Sequence, residues 1–357
     1  MTREEILRPP TQLEKIIGCL LGVLLGDALG MPWEMMSAKE IMLATRGKGV
    51  LTFSKPIQTK IHDTMFLQPG EFTDDYQLTR AITRSLIRCH RFDLIDCLKA
   101  HLDELNHSDT GFGKSTKENL LVLKDLFAVT DKISDLPQTS DLLGPGAGNG
   151  IGMKVAPLGL FFCEDPEAMF EAVRKIGSAT HKDPQAYLAG QLIAKAVSLV
   201  FKQSIGFCSK DEMKPQIAGL ASDLIAEIVV REHNLWGDRR SDLHKAMLEL
   251  GRMVKGNQLA DANNVAKTFG KSCYCAESIP FSIAMFLRHP TNFKAAVLET
   301  INCGGDTDSN ASMVGAMVGA NLGVMEIPQD WRTFRPTEYR EAYHLGKGLF
   351  EVMGLSK

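Results

Sequence analysis

Residues 16 to 33 form an apolar run in which Gly18, Gly22, Gly26 and Gly30 recur every four residues. Four residues make just over one α-helical turn, so these glycines form one stripe without side chains along a helix. A second helix can approach such a stripe to backbone distance, which predicts a buried helix-on-helix contact. The start of the helix is also written in the chain, because Thr11 and Glu14 have the spacing of a capping box just after Pro9 and Pro10. A membrane anchor or signal peptide fits poorly. Glu14 and Lys15 precede the run, Asp27 interrupts it, and no small-x-small cleavage site follows. A cytoplasmic protein is expected.

Beyond this helix the apolar residues keep a helical period almost everywhere. A second capping box, Ser37 with Glu40, follows the break at Gly30-Met-Pro32. Helices are predicted from Thr73 to about Arg88, from Asp93 to Asn106, after Asp165 and Asp183, and over 211–233 and 240–254. Four more are predicted over 276–289, 292–301, 309–322 and 337–353. No stretch alternates as a strand would, and no repeat of 20 to 50 residues occurs. The fold class read from this is all-α, with a dozen or more helices. Segments 46–72 and 130–149 read as long loops, and no low-complexity linker divides the chain, so one domain over 1–357 is expected.

The net charge of −3 and the lack of a Lys/Arg block exclude general attraction to nucleic acid or anionic membranes, so neither is expected as a partner. The eight cysteines are mostly scattered in helical patterns, which predicts free thiols. Cys273 and Cys275 are too close for a C-x-x-C redox or zinc motif and read as structural.

Two short stretches carry the chemistry. Thr73-Asp74-Asp75 and Asp306-Thr-Asp308-Ser309 each place carboxylates and hydroxyls at a probable helix start, after a turn bearing glycine. Each could simply cap its helix. Each could equally offer oxygen ligands to a hard cation such as Mg²⁺ or Mn²⁺. Brought together, the four carboxylates would repel one another strongly, and two cations would balance them. Glu34 lies just past the first helix, on a turn where a solvated glutamate is also ordinary.

Glycine-rich segments suggest anion contacts. Gly144 to Met153 reads GPGAGNGIGM and leads into a helix, so its backbone N–H groups could cradle phosphate, or it could be a connector. It does not spell a dinucleotide-binding fingerprint. Gly111-Phe-Gly113-Lys114-Ser115 resembles a P-loop tail but lacks the leading glycine and the preceding strand. His181 stands alone in a connector, and the histidines form no metal-binding pair.

Taken in order, these motifs resemble the ADP-ribosylglycohydrolase family. They are residues 26–34 (GDALGMPWE), 70–75 (GEFTDD), 148–157 (GNGIGMKVAP), His181 and 304–309 (GGDTDS), and the resemblance runs over about 12–350. It implies a single all-α domain, an orthogonal bundle, with a centre of two Mg²⁺ or Mn²⁺ ions at the base of a cleft. By the resemblance, Thr73, Asp74, Asp75, Asp306, Asp308 and Ser309 are metal ligands. The family usually has threonine at the last of these positions, and a serine hydroxyl can make the same bond. Gly148, Asn149, Gly150, Gly152 and Met153 match its diphosphate loop, and His181 matches a ligand-contacting histidine. Gly111 and Gly113 match a further ligand-lining turn. Glu34 matches a glutamate that acts near the metals, with Asp75 or Asp308 as alternative acid or base. The implied reaction is hydrolysis of the C1″ N- or O-glycosidic bond between ADP-ribose and an acceptor; the alternatives are a non-catalytic ADP-ribose-binding protein and a binuclear-metal phosphohydrolase. The implied partner is an ADP-ribosylated protein or a small ADP-ribose conjugate, met by a monomer. Arginine, serine, acetate and another ADP-ribose unit all stay open as acceptors.

Overall fold

The computed structural model describes residues 9–57, 64–130, 144, 146–205 and 210–355. The middle of the 46–72 loop, residues 131–143 and 145 of the 130–149 loop, and Cys208 lie outside the described residues. Among the described residues there are sixteen α-helices and no strand, only two isolated bridges. The predicted all-α class is therefore observed.

The helix α1 (Gln12–Gly30) starts at the expected capping box, in which the Glu14 N–H donates to Thr11 Oγ1 while the Thr11 N–H donates to the Glu14 carboxylate. Its partner along the glycine stripe is α14 (Thr307–Leu322), which runs antiparallel to it. A β-carbon on Gly18 would lie 2.5 Å from the Gly319 carbonyl oxygen, and one on Gly30 would lie 2.5 Å from the Thr307 oxygen. Between them Gly22 abuts the Gly315 carbonyl and Gly26 that of Ala311, so the two backbones touch at every turn. Every residue of α14 is buried, and so is α1 from Lys15 onward. Helices apolar or small all round their circumference form a core, and here the other helices surround this pair. Among the described residues, α1 is the one helix long and apolar enough to cross a membrane, and its apolar window is wholly buried inside the protein.

Around the pair stand α3 (Asp74–Cys89), α16 (Pro336–Val352), α8 (Pro184–Gln203), α12 (Cys275–Arg288) and α13 (Phe293–Asn302). One continuous apolar core runs from Ile16 to Phe350. An outer set completes the bundle: α2 (Ala38–Ala44), α4 (Leu94–His107), α5 (Lys114–Phe127), α6 (Ala156–Phe161), α7 (Pro166–Ser178), α9 (Lys210–Trp236), α10 (Asp242–Lys255), α11 (Ala262–Phe269) and α15 (Gln329–Arg332). The count exceeds a dozen because α5 and the short α11 and α15 follow stretches whose local signal is a turn. The seven described cysteines are free thiols, as expected, and Cys275 is buried.

Candidate active site

The C-terminal half of α1 acts as the fixture on which three acidic segments hang. The first is the start of α3. Thr73 occupies the cap position there, but its side chain makes no capping bond. Instead the fully buried Asp27 of α1 caps this helix from outside. The Thr73 N–H and hydroxyl both donate to the Asp27 carboxylate at 2.9 Å, and the Tyr76 N–H donates to it at 3.0 Å. The expectation that Thr73 caps its own helix is corrected, since a full carboxylate accepts more strongly than a hydroxyl. Burial raises the Asp27 carboxyl to about 6, against the opposing pull of these three donors.

The second segment is the start of α14. Asp306 holds the cap position and also makes no side-chain cap. The Asn149 amide donates to its Oδ2 at 2.7 Å, and the Asp306 N–H donates to the Lys271 carbonyl at 2.9 Å. The Thr307 hydroxyl donates to the Gly30 carbonyl at 2.8 Å, which pins the helix start to the end of α1. The third segment carries Glu34. Just after it, the Met35 N–H donates to the Gly305 carbonyl at 2.7 Å and the Gly305 N–H donates to that of Met36 at 2.8 Å. This pairing needs left-handed backbone at Gly304 and Gly305, φ of 74° and 90°, and it also holds Met35 at a φ of 62°. A non-glycine residue at such a φ beside the Glu34 carboxyl is local strain held by its surroundings.

Together these anchors bring the two ends of the chain to one place. Carboxylate oxygens of Glu34, Asp306 and Asp308 all lie within 4.8 Å of one another. The Ser309 hydroxyl reaches Asp75 Oδ2 at 3.4 Å, joining the second segment to the first. Burial, followed by the mutual repulsion of the acids, holds the carboxyls of Glu34, Asp74, Asp75 and Asp308 well above their ordinary range. The buried Oδ1 of Asp75 has no hydrogen-bond partner among the described residues. An orphaned carboxylate oxygen inside a group of acids that resist ionisation is what an oxygen-ligated cation site requires. Glu34, Asp306 and Asp308, with Asp75 joined to them through Ser309, therefore fit a hard-cation centre, and Thr73 and Asp74 stand at the adjoining start of α3. The Thr73 hydroxyl gives its proton to Asp27 and keeps its lone pairs for a ligand role. Lys154 adds a buried ammonium, lowered to about 8 by burial and supported by the charge of Asp74.

The acids form the floor of a cleft of about 400 Å³, a volume within the range of small-ligand pockets. Gly111, Gly113, Gly148, Asn149, Gly150, Met153 and His181 all line it with Glu34, Asp74, Asp306, Asp308 and Ser309. The Gly113 N–H donates to Asp74 at 3.3 Å. A β-carbon on Gly150 would meet His181 Nε2 at 3.1 Å and Thr116 Oγ1 at 3.2 Å, so only glycine leaves this wall open. The His181 ring is buried, held neutral by loss of water at about 3, and oriented by the Thr180 hydroxyl at 2.9 Å. Gly152 differs from the other loop glycines. It faces Ile279 and Met313 in the core rather than the cleft, so it lets helices pack and has no ligand surface. Asp75 lies behind the floor and reaches the cleft only through Ser309.

Sequence reasoning missed two parts of this site. Asp27 was read only as an interruption of an apolar run, although a lone acid in a core helix is itself a signal that it has a partner. Segment 271–275 carried no motif. It bridges the two halves of the cleft: the Asn149 N–H donates to the Cys273 carbonyl at 2.9 Å, and the Cys275 N–H donates to that of Ala147 at 3.0 Å. Ser272, Cys273 and Tyr274 thereby join the lining.

The profile of the ADP-ribosylglycohydrolase family matches residues 8–356. The chain is 28% identical over 345 residues to human ADP-ribosylhydrolase ARH3, covering 90% of this chain and 88% of the human protein. It is 26% identical to the chicken protein of that name over 97% of this chain and 94% of the relative. It is 23% identical to the ADP-ribosyl-[dinitrogen reductase] glycohydrolase of Rhodospirillum rubrum, over 90% of each. A solved structure of an ADP-ribosylglycohydrolase-related protein complex superposes with a TM-score of 0.64 at 21% identity, covering 96% of this chain and 99% of that one, which shows a shared fold. With a profile match over nearly its whole length and acids from both of its ends meeting at one cleft, the chain belongs to the ADP-ribosylglycohydrolase family of hydrolases.

Proposed function

We propose that this chain is a metal-dependent ADP-ribosyl hydrolase, which cleaves the C1″ N- or O-glycosidic bond between ADP-ribose and an acceptor and so reverses ADP-ribosylation. The observation that carries this reading is the convergence of Asp74, Glu34, Asp306, Asp308 and Ser309 on the floor of a cleft walled by the 148–153 turn, with Asp75 behind the floor and joined to it through Ser309. Such a floor and wall suit the two ends of one ligand. The acids would hold two Mg²⁺ or Mn²⁺ ions, and the turn and the neutral His181 would take the diphosphate.

When bound, the cations would supply Lewis-acid chemistry at the diol of the distal ribose and at charge developing near its anomeric carbon. The residues of the chain do the rest. Asn149 holds Asp306 in place from the diphosphate side, so that occupancy of the wall and the order of the floor are linked. Glu34 sits at the cleft edge of the acids, and its raised carboxyl suits holding or accepting a proton at the scissile bond. The acceptor would leave past the cleft rim, where Cys273 is exposed. Arginine and serine stand level as acceptors.

The test is a panel of peptides carrying ADP-ribosyl-arginine or ADP-ribosyl-serine, incubated with Mg²⁺, Mn²⁺ or chelator. Release of intact ADP-ribose that stops on chelation is expected. AMP among the products would indicate diphosphate cleavage and overturn the reading, as would binding without release. A Glu34→Gln protein that binds ADP-ribose normally and keeps full turnover would remove Glu34 from the chemistry.

A further inference from the structure

A second cavity, of about 520 Å³, lies beside the cleft, with Lys182, Arg239, Arg240 and Lys245 in its lining. The two cavities share a wall. Gly146 of the cleft packs on the backbone of Lys182, and Lys182 directly follows the cleft residue His181. The hydroxyl of Tyr274, a cleft residue, donates to Asp242 of the second cavity at 3.3 Å.

The charge balance in this second cavity is positive. Lys245 is paired with Asp242 at 2.9 Å, and Asp183 is occupied as the cap of α8, accepting from the Gln185 N–H. Lys182, Arg239 and Arg240 have no carboxylate partner among the described residues. Arg240 donates only to the carbonyls of Gly237 and Arg239 at the end of α9, and Arg239 lies 5.8 Å from the Trp236 ring centre. The N-termini of α8 and α10 also border the cavity, but Asp183 and Ser241 cap them and Asp242 lies in the first turn of α10, so the excess charge rests on the side chains. Three cations without a carboxylate partner around one hollow suit a multiply charged oxyanion.

We infer that this cavity is a phosphate subsite continuous with the cleft, for a phosphate carried on the adenosine side of the nucleotide substrate. The inference rests on the proposed reading of the cleft. With the distal ribose on the acidic floor and the diphosphate on the 148–153 turn, the wall formed by Gly146, His181 and Tyr274 offers the adenosine half a way out of the cleft. That wall is the one shared with the basic cavity. A phosphate monoester on the adenosine ribose, or the first phosphates of a further ADP-ribose unit, would arrive there with the charge that Lys182, Arg239 and Arg240 can receive.

Calorimetry with the full-length protein tests this, using ADP-ribose, ADP-ribose 2′-phosphate and a dimer of ADP-ribose. The triple variant K182Q/R239Q/R240Q is run alongside, and because all three side chains are exposed its fold is expected to survive, as judged by its unfolding temperature. The wild type should bind the 2′-phosphate about tenfold tighter than ADP-ribose, from one to two charge-assisted contacts. The variant should bind the two equally, with ADP-ribose itself unaffected. A gain for both phosphorylated ligands assigns the site to phosphate as such, and a gain for the dimer alone assigns it to a chain of units. Equal affinities in the wild type, or a preference that survives in the variant, would overturn the inference. If ADP-ribose itself fails to bind, the reading of the cleft falls, and titration with inorganic pyrophosphate still decides the subsite: heat lost in the variant supports it, and heat unchanged or absent in the wild type refutes it.

Discussion

Replacing Asp27 with asparagine separates stability from metal binding in a way the structure lets one estimate. The Asp27 carboxylate accepts from the Thr73 N–H, the Thr73 hydroxyl and the Tyr76 N–H. An asparagine offers one acceptor oxygen, and its amide would face at least one of these donors. Burial has raised the carboxyl from 3.8 to about 6 even with these three donors in place, so keeping it ionised at neutral pH costs on the order of 3 kcal/mol net of them, which the neutral amide avoids. Against this, the amide leaves at least one buried N–H donor unpaired, at about 1–3 kcal/mol. The two nearly offset, and Asp27→Asn should change stability by no more than about 2 kcal/mol in either direction. The effect on the site should be larger in proportion. Asp74 and Asp75 are placed by the helix start that Asp27 fixes, and removal of such a supporting partner typically lowers metal affinity about 10- to 100-fold. Titration of Mg²⁺ by calorimetry, beside urea unfolding of the metal-free protein, reads both numbers. A variant that unfolds as calculated but binds Mg²⁺ like the wild type would show that Asp27 is only a helix cap.

Three further outcomes are expected. Asp308→Asn should abolish turnover while leaving the unfolding temperature of the metal-free protein unchanged or higher, since it removes one of several buried, mutually repelling acids; a clear loss of stability would contradict this. Gly22→Ala gains roughly 0.5–1 kcal/mol of helix propensity, yet its methyl group meets the backbone of Gly315, which cannot rotate away. A net loss of about 1–3 kcal/mol is expected by chemical denaturation, and a stabilised variant would show that the α1 and α14 backbones can separate without cost. For pH, the sign follows from carboxyls whose folded values lie above their unfolded ones, Asp74, Asp75 and Asp308. Their contribution is present in full below about pH 4 and is lost as pH rises through the folded values. With chelator, the unfolding temperature should therefore fall as pH rises from 5 to 8, and added Mg²⁺ should remove that slope. Parallel slopes with and without Mg²⁺ would show that these acids are not the ligands.

The elements of this protein were legible because their signals are local. The capping boxes at Thr11 and Ser37 work over three residues, helical periodicity over four, and both were found where they were read. The two acidic stretches were visible for the same reason, as was the glycine stripe. α5 carries no such signal, because its start follows a glycine-bearing turn with the composition of a P-loop tail. What could not be read is every relation whose partners lie far apart. The stripe demanded a close neighbour without saying that it would be Gly315 and Gly319. Asp27 lies 46 residues before the backbone it caps. Segment 271–275 has no motif, since it serves through its backbone carbonyls and N–H groups, which every residue possesses. Gly152 and Gly150 sit two residues apart in one motif, and only packing sends one to the core and the other to the cleft.

The sequence by itself therefore determined the helices, the acid-bearing arms and the need for a backbone-close contact, because each follows from groups within a turn or two of one another. Tertiary structure alone decided that α1 carries all three acidic segments, since that depends on contacts between residues up to nearly 300 positions apart, such as Gly30 with Thr307. Such contacts leave no local pattern in the chain, and it is they that bring the two acidic helix starts to one cleft.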